Sequence, residues 1–115
     1  MTEVLTDHEL ASLGDAYVNF VYSLALSIRT MQPSGRKVKG IALAEALRKA
    51  ELRKPLPSRM TSHKLADAAE ALLVYAWLSG CITLEESVTT LEEADELVAG
   101  LVRLLEKAKS RIRLS

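Results

Sequence analysis

Residues 65–78, LADAAEALLVYAWL, form a helical run that is apolar apart from two acids, and no other segment constrains the fold as strongly. A helix that is apolar on every side belongs in the interior of a protein. The two acids, Asp67 and Glu70, lie three residues apart and are therefore neighbours on one helix face. Two carboxylates in a dry setting need protonation, basic partners or a divalent cation, and oxygen ligands suit Mg²⁺ or Mn²⁺. The same spacing also occurs where one edge of a helix reaches water, so the pair alone leaves both interpretations open.

Length and composition predict one all-helical domain over residues 1–115. A chain of 115 residues is long enough for one hydrophobic core and too short for two. Five glycines and three prolines leave few places to interrupt a helix, and the scarcity of aromatic residues requires a core of mainly Ala, Leu and Val. We therefore expect an all-α bundle.

Charge and cysteine content limit the kinds of partner and the cell compartment that the protein can have. The 15 basic and 15 acidic residues cancel, so any nucleic-acid-binding surface must be a local patch. Cys81 is the only cysteine, which excludes an intramolecular disulfide and suits a reducing compartment. The chain shows neither a signal-peptide pattern nor an apolar run of membrane-spanning length. We expect a cytoplasmic protein, and its low Asn and Gln content is compatible with a thermophile.

Capping signals and periodicity predict the helices of the first half. A capping box at Thr6–Glu9 starts a helix near residue 7. This helix ends near Thr30, and its apolar residues recur every three or four positions: Leu10, Leu13, Tyr17, Phe20, Leu24 and Ile28. A second helix is expected from about Lys39 to Arg53, where prolines follow, and its inner stripe consists of Ile41, Leu43, Ala44, Leu47 and Ala50.

The second half contains the central helix and the closing helices. Thr61 or Ser62 caps the central helix, which extends to Ser79 and stops at Gly80. A second capping box, Thr83–Glu86, starts a helix that breaks near Thr89–Thr90, and a long last helix follows. The prediction is a helical bundle of about five helices.

Gly14 predicts a close helix–helix contact. A glycine in a helix interior costs about 1 kcal/mol relative to alanine, so a helix that keeps one needs the close approach of another backbone. Its neighbour Asp15 would then lie at the tightest point between the first and the central helix. We expect this contact to bring Asp15 towards Asp67 and Glu70, as three carboxylates suited to a hard metal.

Two motifs carry a resemblance to a known family. Leu13-Gly-Asp-Ala16, followed by Leu65-Ala-Asp-Ala-Ala-Glu-Ala-Leu72, resembles the endonuclease domain of the ribonuclease III family, with both motifs in the family's order. The resemblance implies an all-α homodimer with one Mg²⁺-dependent site per subunit, in which Mn²⁺ is a possible substitute. It also implies that Asp15, Asp67 and Glu70 are the catalytic and metal-binding residues. In lacking a double-stranded-RNA-binding domain, the chain is similar to Mini-ribonuclease III or a compact archaeal relative.

The sequence departs from the family pattern at two positions. Larger family members place a glutamate one helical turn before the motif aspartate, where this chain has Ala11, and a more distant glutamate falls on His8. Three acids can still hold Mg²⁺ with several waters. A non-cleaving domain that binds RNA or a protein partner is therefore the alternative function.

The resemblance also implies the reaction and the substrate. A metal-activated water would hydrolyse phosphodiester bonds in double-stranded or structured RNA, with Asp15 and Glu70 as principal ligands and Asp67 as a direct or water-mediated one. Such RNA is recognised through its shape and backbone, and five basic residues are candidates for contacting it: Arg36, Lys37, Lys39, Arg59 and Lys64. An ordinary solvated loop would have the same basic composition.

Other chemistry-bearing residues have simpler interpretations. His8 and His63 are expected to be capping or surface residues, and Cys81 a packed side chain. The aromatic residues are expected in the core or in a dimer interface: Tyr17, Phe20, Tyr22 and Trp77. A third interpretation of the chain is a helical adaptor whose buried acids pair with basic residues, for which the candidates are Arg48, Arg53 and Lys64.

Overall fold

A computed structural model describes residues 1–114, with side chains as far as Arg113. This part of the chain contains six helices: α1 Thr2–Leu5, α2 His8–Thr30, α3 Gly40–Lys49, α4 Ser62–Leu78, α5 Leu84–Glu93 and α6 Leu97–Leu114. The predicted all-α fold is confirmed, and the helix beyond the expected five is the short α1. Within residues 1–114, no helix combines the length and apolar character needed to cross a bilayer.

Helix α4 is the centre of the fold, as its apolar sequence predicted. It packs against α1, α2, α3 and α6, while α5 packs against α2 and α6. The Thr61 hydroxyl caps α4 by accepting the Lys64 N–H at 3.2 Å, and Gly80 follows its end with φ +79°. The side chains from Leu65 to Val74 are buried except for the half-buried Asp67, and Glu70 is the charged residue among them.

Helix α2 buries a different face from the one that its large apolar residues marked. The residues that it packs into the core are small: Ala11, Gly14, Val18, Val21 and Ala25. In contrast, Leu13, Phe20 and Ile28 are 46%, 53% and 52% exposed. Small side chains let two helix axes approach closely, so the larger ones are left on the outer side. Ile41 of α3, predicted as an inner residue, is likewise exposed.

In the first half, α2 starts at His8, which agrees with the expected start near residue 7. The residue that caps α2 and the end of α3 differ from the prediction. Asp7 rather than Thr6 caps α2, because its carboxylate accepts the Leu10 N–H at 2.9 Å while the Thr6 hydroxyl donates to the Thr2 carbonyl. Helix α3 ends at Lys49, four residues before the expected Arg53. There the chain turns through Glu51 at φ +59°.

The predicted break at Thr89–Thr90 was also wrong. Helix α5 continues to Glu93, and the Thr90 hydroxyl donates to the Glu86 carbonyl within the helix instead of capping a new one. The chain breaks at residues 94–96, where the Arg29 guanidinium from α2 donates to the carbonyls of Glu92 and Ala94 at 2.6 Å each. A long-range partner thus satisfies the end of α5, which no local pattern could indicate.

Candidate active site

The crossing of α2 and α4 is closest at Gly14, as the sequence predicted. A Cβ atom placed on Gly14 would lie 2.1 Å from the Glu70 carbonyl oxygen and 2.9 Å from the Glu70 Cβ. The backbone of α4 therefore occupies the space that any other residue at position 14 would need. This contact places Glu70 next to Asp15.

The three predicted carboxylates line one open cavity of about 440 Å³, which we call the carboxylate cavity. Asp15 comes from α2, Asp67 and Glu70 come from α4, and the start of α3 closes one side. The full lining comprises His8, Ala11, Ser12, Asp15, Val38, Gly40, Leu43, His63, Ala66, Asp67 and Glu70. The structure therefore brings together the acids that the sequence places in two distant motifs.

Glu70 has the most perturbed environment in this cavity. It is only 6% exposed, and its burial, its hydrogen bond to Asp15 and the charges of Asp15 and Asp67 raise its pKa from 4.5 to about 8. Burial is the largest of these causes, because a dry setting penalises the ionised form. Near neutral pH, Glu70 therefore carries a proton that it donates to Asp15.

The donor chemistry of the cavity fits a hard divalent cation. Three carboxylates are the ligand type that Mg²⁺ and Mn²⁺ take, and a cation would replace the proton that offsets repulsion between them. Within residues 1–114, however, no three His, Cys, Asp or Glu side chains are already positioned to hold a metal ion. The cavity therefore contains carboxylates of the right type, but in this structure their oxygens are not arranged around one common point.

Both histidines are exposed, as the sequence predicted, and both also line this cavity. His63 Nε2 is 3.6 Å from Asp67 Oδ2, and the His63 side chain is 85% exposed. His8, at the start of α2, also lines the cavity. The missed signal was spacing: His63 and Asp67 are four residues apart on α4, and His8, Ala11 and Asp15 share one face of α2.

Asn19 is a further residue that the sequence did not single out. Its amide nitrogen donates to Asp15 Oδ1 at 3.3 Å, while its amide oxygen accepts the Val38 N–H at 2.8 Å. Ser23 continues this row along α2, where its hydroxyl accepts the Arg36 N–H and donates to the Arg36 carbonyl. Asn19 and Ser23 therefore hold residues 36–39 against α2, beside the carboxylate cavity.

The family of the chain follows once this geometry is compared with known proteins. Residues 8–111 match the family model described as Ribonuclease III. The chain belongs to the ribonuclease III family. No curated protein gives a significant match to it.

Membership of the ribonuclease III family indicates an RNA-processing nuclease. The family acts on structured RNA and generally uses divalent metals. In this ribonuclease III domain, the carboxylate cavity is where Asp15, Asp67 and Glu70 lie around one open space. Ala11 also lines this cavity.

The basic residues predicted to contact RNA surround this region from two directions. Arg36, Lys37 and Lys39 are exposed on the segment held by Asn19 and Ser23. Arg59 and Lys64 are exposed on the other side, where they line a smaller depression that shares His8, Ala11 and Asp67 with the carboxylate cavity.

The adaptor interpretation required basic side chains to neutralise the acids. In the part of the chain that the structure describes, the ion pair at these carboxylates is the one between His63 and Asp67. The Arg53 guanidinium instead donates to the Leu56 carbonyl at 3.2 Å. Neither Arg48 nor Lys64 reaches the acids within residues 1–114, so the geometry does not favour this interpretation.

Asn19 donates a hydrogen bond to Asp15 and accepts one from the Val38 N–H, and two substitutions separate these roles. In Asn19→Ala, the buried Val38 N–H loses its acceptor, and we expect its hydrogen exchange to accelerate by about fivefold, since one such bond contributes roughly 1 kcal/mol. Asn19→Asp keeps an acceptor for Val38 but places a second negative charge beside Asp15. Exchange measured by NMR should therefore be fast in the Ala variant and slow in the Asp variant. Equal protection of Val38 in both variants would contradict the role of Asn19 in holding this segment.

Proposed function

We propose that the protein is a metal-dependent endoribonuclease that hydrolyses phosphodiester bonds in double-stranded or structured RNA. The observation that carries the proposal is the convergence of Asp15, Asp67 and Glu70 on one open cavity, at a helix crossing that Gly14 makes possible. Family membership supplies the substrate class.

In this proposal, Asp15, Asp67 and Glu70 hold Mg²⁺, or Mn²⁺ in its place. The ion supplies Lewis acidity at the phosphate and a more acidic water. Glu70 contributes a carboxylate after losing the proton it donates to Asp15. Asn19 orients Asp15 through its amide group, and His63 contacts Asp67 from the exposed side.

The basic segments on both sides of the cavity would bind the RNA backbone. Arg36, Lys37 and Lys39 are exposed on the segment that Asn19 and Ser23 hold, and Arg59 and Lys64 line the neighbouring depression. Phosphate contacts of this kind provide sequence-independent affinity that weakens with salt, and A-form RNA is recognised mainly by its backbone and shape. Because the whole chain has no net charge, these local cations would direct the RNA to the cavity.

The direct test is cleavage of a labelled RNA hairpin by the purified protein. We expect internal cleavage with Mg²⁺ or Mn²⁺ and none after chelation with EDTA. Cleavage that persists in EDTA would contradict the proposed metal dependence. Asp15→Asn should remove the activity, while Glu93→Gln, which changes an exposed acid at the end of α5, should retain it.

A non-cleaving RNA- or protein-binding module is the second candidate function. Ala11 on the cavity wall favours it, because this position contributes no ligand where larger relatives have a glutamate, and so does the incomplete arrangement of ligands within residues 1–114. Isothermal titration calorimetry distinguishes the two candidates. Saturable binding of Mn²⁺ that Asp15→Asn abolishes supports the nuclease, whereas the absence of binding supports the module.

The proposed enzyme would be a homodimer, and an exposed apolar surface supports this. Leu13, Phe20, Trp77 and Leu78 are all more than two-fifths exposed, and they belong to α2 and α4, which pack together. Tyr17 joins the two helices by stacking on Trp77 at a centroid distance of 5.4 Å. Large exposed apolar surfaces of this kind are typical of protein–protein interfaces.

We expect Phe20→Asp to shift the protein from dimer to monomer, because it replaces an exposed apolar side chain of this surface with a charge. Size-exclusion chromatography with light scattering measures the change. Ile41→Asp is the matched control, since Ile41 is 71% exposed on α3, away from the proposed interface. If the unmodified protein is monomeric, the dimer proposal fails.

The organisation of residues 1–115 as a single domain stays a prediction. The cytoplasmic location also stays a prediction, based on composition and the single cysteine.

A further inference from the structure

A second depression of about 230 Å³ lies beside the carboxylate cavity, and we call it the side pocket. Its apolar wall consists of Leu5, Ala11, Pro57 and Met60. Its remaining lining is polar or charged: Thr6, Asp7, His8, Arg59, Lys64 and Asp67. Because His8, Ala11 and Asp67 line both depressions, a ligand in one would lie directly against a ligand in the other.

The walls of the side pocket are anchored to the core. Leu5 is 2% exposed and Leu56 is 6% exposed. The Arg53 guanidinium donates to the Leu56 carbonyl, which fixes the turn that leads to Pro57 and Met60. The pocket is therefore held by buried residues on both sides.

The lining matches one nucleobase with its attached phosphate. Pockets for drug-sized ligands measure roughly 300–1,000 Å³, so a volume of 230 Å³ suits a smaller, flat group. Proteins stack unpaired RNA bases on aromatic rings or Arg guanidinium planes, and enzymes that hold a flipped base also pack it against apolar side chains. Met60 and Arg59 provide such surfaces, and Lys64 adds a positive charge for the phosphate.

We propose that the side pocket binds one unpaired nucleobase of the RNA, next to the phosphate that the carboxylate cavity would process. The preferred substrate is then structured RNA with an unpaired nucleotide at the cleavage position, rather than an uninterrupted duplex. The substrate part of this inference rests on the proposed nuclease function, whereas base binding itself can be measured without cleavage.

The methyl groups of methionine provide the binding test. The chain has three methionines; Met60 lines the side pocket, and Met31, which is 90% exposed at the end of α2, is an internal control. In the metal-free protein, AMP should shift the Met60 methyl NMR signal saturably and leave Met31 unchanged. Ribose phosphate, which lacks a base, should produce a much smaller shift.

Two outcomes would overturn base binding. Met60 could fail to respond to AMP, or ribose phosphate could shift it as strongly as AMP, which would indicate an anion site without base recognition. Arg59→Ala should weaken AMP binding by about tenfold, as expected for the loss of one stacking contact. Arg103→Ala, which removes an exposed cation from α6, should leave the AMP affinity unchanged.

The substrate preference is tested with two hairpins that differ by one unpaired nucleotide at the cleavage position. Faster cleavage of the hairpin with the unpaired nucleotide supports the inference, and equal rates contradict it. A Met60 response without cleavage of either hairpin would refute the nuclease and support base binding. Cleavage without a Met60 response would support the nuclease and refute the side-pocket inference.

Discussion

Glu70→Gln should abolish RNA cleavage and yet stabilise the metal-free protein at alkaline pH. The lost carboxylate is a proposed metal ligand, so we expect cleavage to fall by about a hundredfold or more, since metal ions supply several kcal/mol of transition-state stabilisation. The amide of Gln has nearly the shape of the protonated carboxyl. It can still donate a hydrogen bond to Asp15, and it carries no charge at any pH.

The stabilisation follows from the raised pKa of Glu70. In the folded protein this carboxyl keeps its proton up to about pH 8. In the unfolded protein it has the ordinary glutamate pKa of 4.5 and loses its proton near pH 4.5. Between these values the folded state binds more protons than the unfolded state. The free energy of unfolding therefore falls as pH rises through this interval, and the stabilising contribution of the protonated carboxyl is lost above about pH 8.

Urea unfolding in EDTA at several pH values measures this effect. Near pH 9, we expect Glu70→Gln to unfold with a free energy about 2 to 4 kcal/mol higher than the unmodified protein. Near pH 4 the two should differ little, because Glu70 is then protonated in both states. Glu93→Gln should follow the unmodified protein throughout. Parallel pH profiles for Glu70→Gln and the unmodified protein would contradict the raised pKa.

Gly14→Ala should lower the free energy of unfolding by about 2 kcal/mol or more, because overpacking costs typically 1–3 kcal/mol and occasionally more. Alanine would gain about 1 kcal/mol over glycine in an isolated helix. At position 14, however, the new Cβ would lie 2.1 Å from the Glu70 carbonyl oxygen. The clash is with backbone, so rotation of a side chain cannot relieve it and α2 must move away from α4. The loss of helix packing should outweigh the gain in helix propensity.

Two other glycines provide graded controls for this substitution. At Gly100, an added Cβ would meet Leu91 Cδ2 at 2.8 Å, the end of a flexible side chain that can move. At Gly35, nothing lies within 4 Å of the added atom, so we expect a change within about 0.5 kcal/mol. Urea unfolding should rank the losses Gly14→Ala, then Gly100→Ala, then Gly35→Ala. A Gly14→Ala variant as stable as Gly35→Ala would refute the backbone contact.

Several elements of the fold and site were predictable because their signals are local. Thr61 and Thr83 cap their helices as expected, since a capping side chain bonds to an N–H only three residues away. The apolar run from Leu65 marked the central helix for the same reason. Gly14 predicted a helix crossing because glycine in a helix interior is otherwise unfavourable.

Other features depended on partners far away in the chain. Arg29 ends α5 from across the molecule, so the break after Glu93 has no local signal. Phe20 carried the apolar periodicity of α2, yet the tight crossing at Gly14 turned the small residues inward and left Phe20 exposed. No local pattern in the sequence signals Asn19, because its structural role depends on a hydrogen bond from the Val38 N–H, 19 residues further along the chain.

Helical periodicity and composition were thus sufficient to predict the all-α fold, and the resemblance of the two acidic motifs to the ribonuclease III family indicated the three candidate site residues. Periodicity and each motif taken singly are properties of residues close together in the chain, where helix geometry makes the spatial relation predictable. The proton on Glu70, the positions of both histidines and the outer face of α2 depended on how the helices pack. Desolvation and close contact are set by neighbours that the folded chain brings together from distant positions, and no local pattern encodes them.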